Sequence, residues 1–204
     1  MSTRVLLPGT VGVGITHLLA NTGDYELVVG DNDEGRLALI DRDDVRTQRI
    51  DARDPAALAA ALGGMEVVIN ACPFFLSVPI AEAARQAGVN YFDMTEDMET
   101  TRRIKQLAIG ANTVFMPQCG LAPGFIAIAA YELSKSFETL RRIRMRVGAL
   151  PKFSSNALKY NLTWSIDGLI NEYLNPCQVI YDGEPREVLP LEGHEQFTMD
   201  GVNY

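Results

Sequence analysis

The sequence predicts an α/β fold built on a doubly wound parallel sheet, and three observations predict it. Short apolar runs alternate with helical patterns from Arg4 to Met116. A glycine-rich turn, Gly9-Thr10-Val11-Gly12-Val13-Gly14, joins the first apolar run to the first helical one. An aspartate, Asp31, ends the second run. Strands regularly separated by helices call for right-handed crossovers, and hence for parallel pairing.

The first strand is Arg4-Val5-Leu6-Leu7, and the helix after the glycine turn runs to Ala20 and stops at Asn21-Thr22-Gly23. Glu26 to Val29 is the second strand, ending at Asp31. A charged helical segment follows from Glu34 to Ile40, and a weak third strand lies between Val45 and Ile50. Asp54-Pro55 starts an alanine-rich helix, Ala56 to Leu62, with proline in the first turn where its missing N–H leaves no bond unmade. Glu66 to Ala71 is the clearest buried strand. A helix from Val78 to Ala87, capped by Gly88, leads to strand five at Tyr91-Phe92. A helix from Asp97 to Ile109 leads to strand six, Thr113 to Met116.

The pattern then changes. Phe125 to Ser136 reads as a helix and Arg141 to Leu150 as a long strand. In that strand Arg142, Arg144 and Arg146 alternate with Ile143, Met145 and Val147, the mark of a half-exposed sheet. A boundary near Pro123-Gly124 therefore divides residues 1–122 from residues 123–204. Asp200-Gly201 is a hairpin signal, with Val202-Asn203-Tyr204 as the returning strand. The second domain accordingly reads as the truncated start of a larger one. Gln106 to Tyr131 carries no formal charge and has the length of a membrane span. Pro117, Gly120, Pro123 and Gly124 break it, so it reads instead as strand, turn and helix.

Lys and Arg number 18 against 26 Asp and Glu, giving a net charge of −8 and a pI near 4.8. Nucleic acid and anionic membrane surfaces are excluded as partners on that balance, since both select basic surfaces. Cys72, Cys119 and Cys177 are an odd, widely spaced set, and His17 and His194 are the only histidines. No metal site or disulfide framework is expected, and without a secretion signal the expected compartment is the reducing cytoplasm.

The strand, glycine turn and helix at the N-terminus specify a Rossmann-type dinucleotide site. Amide hydrogens at the start of a helix, with its positive dipole end, bind diphosphate, and glycines let the phosphate approach. Gly9, Thr10, Val11 and Gly12 supply that cradle. Asp31 stands about 20 residues further on, where a carboxylate accepts hydrogen bonds from ribose hydroxyls. Asn32 and Asp51 are counted with this edge. Aligned on Gly9 and Gly12, Leu7 falls where the first glycine of the fingerprint is expected. Leucine does not take the positive φ open to glycine, so the expectation is an altered turn or a cofactor seated further out. Asp31 repels a 2′-phosphate and favours NAD, while Arg36 within reach keeps NADP open. The plainer alternatives are glycines that only permit close packing and an Asp31 that is merely a solvated loop carboxylate.

In a doubly wound sheet, ligands lie outside the carboxyl ends of the strands. Asn70, Ala71, Cys72 and Pro73 leave strand four there and line the cofactor, with Phe74 following toward the substrate. Alternatively, Phe74 and Phe75 simply cover the sheet edge. Asp93, Glu96 and Asp97 leave strand five at the same edge, to hold a substrate ammonium group or move a proton. Glu96 and Asp97 equally suit the start of the next helix.

Asn70-Ala71-Cys72-Pro73-Phe74-Phe75, Tyr91-Phe92-Asp93-Met94-Thr95-Glu96-Asp97 and Pro117-Gln118-Cys119-Gly120-Leu121-Ala122-Pro123-Gly124 together resemble the saccharopine dehydrogenase-like family, which includes saccharopine reductase and L-lysine 6-dehydrogenase. Val147-Gly148-Ala149-Leu150-Pro151 and the block from Lys159 to Gly168 continue the resemblance. It implies a Rossmann domain followed by an α/β catalytic domain with the active site between them. The implied reaction is hydride transfer between NAD or NADP and the amine/imine carbon of an amino-acid-like small molecule, and a homodimer through the catalytic domain is admitted. Ala122 stands where saccharopine reductases tend to carry aspartate, which looks more like the lysine dehydrogenase branch. The resemblance places Cys119 and Gly120 beside the nicotinamide. It turns Tyr160, Trp164 and Ser165 toward the substrate, Tyr160 as a hydrogen-bonding group and Trp164 as an apolar cover. Asp93, Cys119 and Tyr160 are the catalytic candidates. Cys119 has no histidine near it in sequence to lower its pKa, so a small packing residue at the site wall is the alternative, and Trp164 equally suits a core.

Two other readings stay open. Tyr131-Glu132-Leu133-Ser134-Lys135 is the Tyr-x-x-x-Lys of short-chain dehydrogenases, with both side chains on one helix face, but the turn before it, Gln118-Cys119-Gly120, offers no serine to complete such a site, which makes this the weaker reading. The chain would otherwise be a non-catalytic nucleotide-binding module or an inactive fragment.

Overall fold

A computed structural model describes residues 2–9, 12–148, 166–192, 195–196, 198–199 and 201–203. The chain divides by compactness into Met1–Met145 and Arg146–Tyr204, so the loop and helix that follow Pro123 go with the first unit.

Six strands form the sheet of the first unit: β1 (Thr3–Pro8), β2 (Tyr25–Asp31), β3 (Arg46–Arg49), β4 (Val67–Asn70), β5 (Asn90–Asp93) and β6 (Phe115–Met116). All pair in parallel, in the order β3-β2-β1-β4-β5-β6. This is the doubly wound Rossmann order, and it reverses direction between β1 and β4, where a crevice opens at the carboxyl ends of the strands.

Strand alternation sorts the apolar side chains onto two faces. Leu6, Val28 and Val68 pack with α3 (Pro55–Leu62), α4 (Ser77–Ala87) and α5 (Met98–Ala108), through Leu58, Leu62, Ile80, Ala84 and Ile104. Val5, Leu7, Leu27 and Val29 face the other way, against Ile15 and Leu19 of α1 (Gly12–Ala20) and Leu37 of α2 (Glu34–Leu37). The helices start where the sequence signals them. Asp54 Oδ1 accepts from the Ala56 amide at 2.9 Å ahead of α3, and Asp97 Oδ1 accepts from Thr100 at 2.7 Å ahead of α5. Gly88 ends α4 in the left-handed conformation, φ 68°.

Leu7 is therefore not part of the turn. It is the penultimate residue of β1, level with Val29 of β2, and it is fully buried. The strand continues through Pro8, and the backbone first takes a positive φ at Gly9, 102°. The glycine at the strand exit is thus Gly9, and the turn forms without a glycine at Leu7.

A further helix, α6 (Phe125–Ser134), follows the loop after β6. The long strand expected from Arg141 to Leu150 does not form over its described part. Residues 141–148 are exposed and make no strand. Alternating residues make a strand only where a neighbour completes the hydrogen-bond ladder, and no described strand pairs with these. In the second unit, α7 (Ile166–Glu172) precedes an antiparallel hairpin of β7 (Cys177–Tyr181) and β8 (Glu184–Val188). Its turn residues, Asp182 and Gly183, both have positive φ, 53° and 81°, as a tight two-residue hairpin requires. The hairpin expected at Asp200-Gly201 is present, with β9 (Thr198–Met199) paired to β10 (Val202–Asn203).

Putting the fingerprint glycine back is expected to harm the fold. Leu7→Gly removes a fully buried side chain and loosens the backbone, and should lower the unfolding free energy by about 3–5 kcal/mol in urea denaturation. An unchanged or higher stability contradicts the placement of Leu7 in the core.

Candidate functional site

The glycine turn is held by the sheet itself. The Gly9 amide donates to the Gly30 carbonyl at 2.8 Å, while the Pro8 carbonyl accepts from the Ala71 amide at 2.8 Å. The chain leaving β1 is thereby tied to β2 on one side and to the exit of β4 on the other. A Cβ at Gly9 would lie 2.4 Å from the Ala71 carbonyl oxygen and 2.7 Å from the Cys72 nitrogen. Only glycine fits there, by conformation and by space. Gly12 opens α1 directly beyond; Thr10 and Val11 lie outside the described residues.

Asp31 ends β2 beside this turn and is 7% exposed. Its Oδ1 accepts from the Asp33 amide at 2.9 Å; among the described residues its other oxygen has no partner. Gly9, Val13, Val29, Asp31, Arg36, Leu37 and Ile40 line one small pocket at the exits of β1 and β2. A carboxylate with an acceptor to spare beside a glycine turn is the pair of features by which Rossmann-type sheets bind ribose and diphosphate. Arg36 reaches the same pocket, its guanidinium 3.6 Å from Asp33. Asn32 is exposed in the turn after Asp31, and Asp51 accepts from Nε and Nη2 of Arg53, each at 2.9 Å, which hold its carboxyl below the usual range.

The exits of β4, β5 and β6 are joined by buried polar side chains. Asn70 Nδ2 donates to Ser77 Oγ at 3.0 Å and to Tyr91 Oη at 3.1 Å, and its Oδ1 accepts from the Cys72 amide at 2.9 Å. The Tyr91 hydroxyl donates to Asp93 Oδ2 at 2.7 Å. Asp93 Oδ1 accepts from the Thr95 amide at 2.9 Å and the Gln118 amide at 3.1 Å, and its carbonyl accepts from the Cys119 amide at 2.7 Å. Asn70, Tyr91 and Asp93 are at most 2% exposed. Burial, reinforced by the Asp93 charge, pushes the Tyr91 hydroxyl well up, so it stays a donor. Burial also raises the Asp93 carboxyl, against the pull of Tyr91, Thr95 and Gln118.

The model described as the saccharopine dehydrogenase NADP-binding domain matches residues 7–147. The chain belongs to the saccharopine dehydrogenase family. The C-terminal domain of the same family matches residues 120–202. A rat relative, mitochondrial alpha-aminoadipic semialdehyde synthase, is 22% identical over 196 residues, which cover 90% of this chain and 21% of that protein. In fold, the chain resembles the apo saccharopine dehydrogenase (L-Glu forming) of Saccharomyces cerevisiae, with a TM-score of 0.71 and 19% identity, over 99% of this chain and 48% of the yeast one. The chain thus spans about half of the yeast structure and a fifth of the rat protein.

The family's dinucleotide domain, with NAD or NADP as its cofactor, is therefore the setting for the other candidate residues. Cys72 is half-buried, and burial together with the Asp31 charge pushes its thiol up to about 12. Pro73 is exposed, and Phe74 and Phe75 meet edge to face at 5.8 Å in a single 3₁₀ turn, Phe74–Leu76. Glu96 is half-buried, while Asp97 caps α5. Cys119 is exposed and its thiol donates to the Met116 carbonyl at 3.2 Å; partial desolvation and the Asp93 charge shift its pKa upward, which favours the thiol over the thiolate. Gly120 carries the closure of its loop, its carbonyl accepting from the Phe125 amide at 2.9 Å. Tyr131 lies on α6 and Lys135 caps its C-terminal end, with the ammonium 4.8 Å from the centre of the tyrosine ring and 2.6 Å from Glu132. Tyr160, Trp164 and Ser165 lie outside the described residues. Among the described residues no cluster of His, Cys, Asp and Glu suits a metal ion, and no helix is long and apolar enough to cross a membrane.

Sequence reasoning missed Tyr91 and Ser77 as parts of this edge. Tyr91 reads as an apolar strand residue, and only the register of β4 on β5, Val68 against Tyr91 and Asn70 against Asp93, brings its hydroxyl between those two polar side chains.

The raised Asp93 pKa has a sign that can be measured. A carboxyl that holds its proton more tightly in the folded chain contributes stability fully below its unfolded value, about 3.9, and loses it as pH rises through the folded one. Asp93→Asn removes that dependence. The unfolding free energy of the variant minus that of the wild type should therefore grow from about pH 4 to about pH 7 in urea titrations. A difference that shrinks contradicts the buried, desolvated carboxyl.

Proposed function

We propose that this chain contributes the dinucleotide-binding half, and part of the substrate half, of an oxidoreductase that acts at the amine/imine carbon of an amino-acid-like substrate. The observation that carries the reading is the pairing of Gly9 and Asp31 in one pocket at the exits of adjacent strands, beside the point where the sheet order reverses. Gly9, Thr10, Val11 and Gly12 would hold the diphosphate and Asp31 the adenosine ribose, with Asn32 and Asp51 at the rim. The backbone from Asn70 to Pro73 would line the second ribose. When bound, the nicotinamide ring gives or takes a hydride at the substrate carbon.

The substrate side is proposed to include Phe74, Glu96, Gly120, Tyr160, Trp164 and Ser165, with Tyr160 as the hydrogen-bonding group and Cys119 in the wall of the site. Asp93, whose carboxylate is enclosed, is assigned to the loops it bonds rather than to contact with substrate. A carboxylate at the end of β2 disfavours a 2′-phosphate, so NAD is the proposed cofactor, although the family domain is described as NADP-binding.

Ligand-dependent melting of the full chain tests the nucleotide half. NAD at a hundredfold excess over its Kd should raise the melting temperature by about 5–10 °C. Asp31→Ser should shrink that rise and enlarge the one given by NADP. No rise with either cofactor overturns the reading and leaves a non-binding module. For the reaction, reduced-nicotinamide absorbance with lysine, saccharopine and polyamine-derived amines should single out an amine oxidised at carbon.

A further inference from the structure

We infer that the buried chain Asn70–Tyr91–Asp93 is a positioning device for the nicotinamide half of the site, with Tyr91 as its central residue. The inference rests on the dinucleotide reading above. A doubly wound sheet is made of two mononucleotide-binding halves. Gly9 and Asp31 serve the half built on β1, β2 and β3, so the second nucleotide lies over β4, β5 and β6. The hydrogen bonds of the three side chains end on that edge.

Each terminus of the chain is a backbone amide just outside a strand. Asn70 Oδ1 fixes the Cys72 amide after β4, and Asp93 Oδ1 fixes the Thr95 amide after β5 and the Gln118 amide after β6. Gln118 has a positive φ, 65°, a conformation uncommon for a non-glycine residue. Tyr91 is the sole described side chain joining the two ends, accepting from Asn70 at 3.1 Å and donating to Asp93 at 2.7 Å. Its ring is pinned against Phe115 of β6, with centroids 5.8 Å apart. Apolar residues of similar size would fill the same space without the cost of burying an amide and a carboxyl. What the polar set adds is a common fixed geometry for three loops. Those loops carry Cys72, Glu96, Cys119 and Gly120, all proposed here to lie near the nicotinamide or the substrate.

The test separates the two halves of the ligand. ADP probes the β1–β3 half, and NAD probes both. By titration calorimetry on the full chain, Tyr91→Phe should weaken NAD about tenfold while changing ADP affinity by less than about twofold. Asp93→Asn is the conservative partner. It keeps the acceptor for Thr95 and Gln118, and the Tyr91 hydroxyl can turn to the Ser77 carbonyl, already 3.3 Å away. Its loss of NAD affinity should be smaller than that of Tyr91→Phe, and it carries the test if Tyr91→Phe does not fold, through NAD weakened more than ADP. NAD affinity unchanged in these variants, or NAD and ADP weakened in proportion, overturns the inference while the dinucleotide reading stands. A wild-type chain that binds neither ligand overturns both.

Discussion

The backbone at Gly9 passes so close to the exit of β4 that one methyl group would sit 2.4 Å from the Ala71 carbonyl oxygen. That approach is imposed by the sheet. β1 is the central strand at which the order reverses, and its end is hydrogen-bonded to β2 through Gly9 and to the start of the β4 loop through Pro8. The turn must then leave between two neighbours at a positive φ. A larger residue would push the β4 loop away and open the crevice. The same turn places Gly9 in one pocket with Asp31.

The two sides of the reversal are built differently. On the β1–β2 side the walls are apolar, and one carboxylate has an oxygen to spare among the described residues. On the β4–β5–β6 side the side chains of Asn70, Tyr91 and Asp93 are sealed, each bonded to another or to a loop amide. The Asn70 amide oxygen accepts from the Cys72 amide, which leaves its Nδ2 to donate to Tyr91, and the Tyr91 hydroxyl donates on to Asp93, so the chain runs from Asn70 to Asp93. One side is equipped to bind, the other to hold its loops still. That division suits a dinucleotide, whose adenosine end supplies affinity and whose nicotinamide end must be aimed.

Most of the fold was legible because its signals are local. Asp54-Pro55, Gly88 and Asp97 mark helix ends through bonds within a few residues, and the structure puts them there. Asp31 was legible through its spacing from the glycine turn. The alternation of arginine and apolar residues from Arg141 suggested a strand, but a strand depends on a partner that the local pattern cannot supply. The hairpin at Asp182-Gly183 carries the same Asp-Gly signal as Asp200-Gly201, but Glu184, Arg186 and Glu187 follow it in place of an apolar run. Leu7 misled for a different reason. Fingerprint spacing counted from Gly12 puts a turn at Leu7, where the strand still runs on through Pro8. The Asn70–Tyr91–Asp93 chain was illegible as a unit, since its members are 21 and 2 residues apart and meet only through the register of β4 on β5.

Backbone amide chemical shifts, followed by NMR as NAD or NADP is added to the labelled 22.4 kDa chain, test the central claim most directly. A dinucleotide cradled at the strand reversal should move the Gly9, Gly12, Val13 and Asp31 amides most, with Cys72 following. Saturable shifts confined to other parts of the sheet, with Gly9 and Asp31 unmoved, would contradict it.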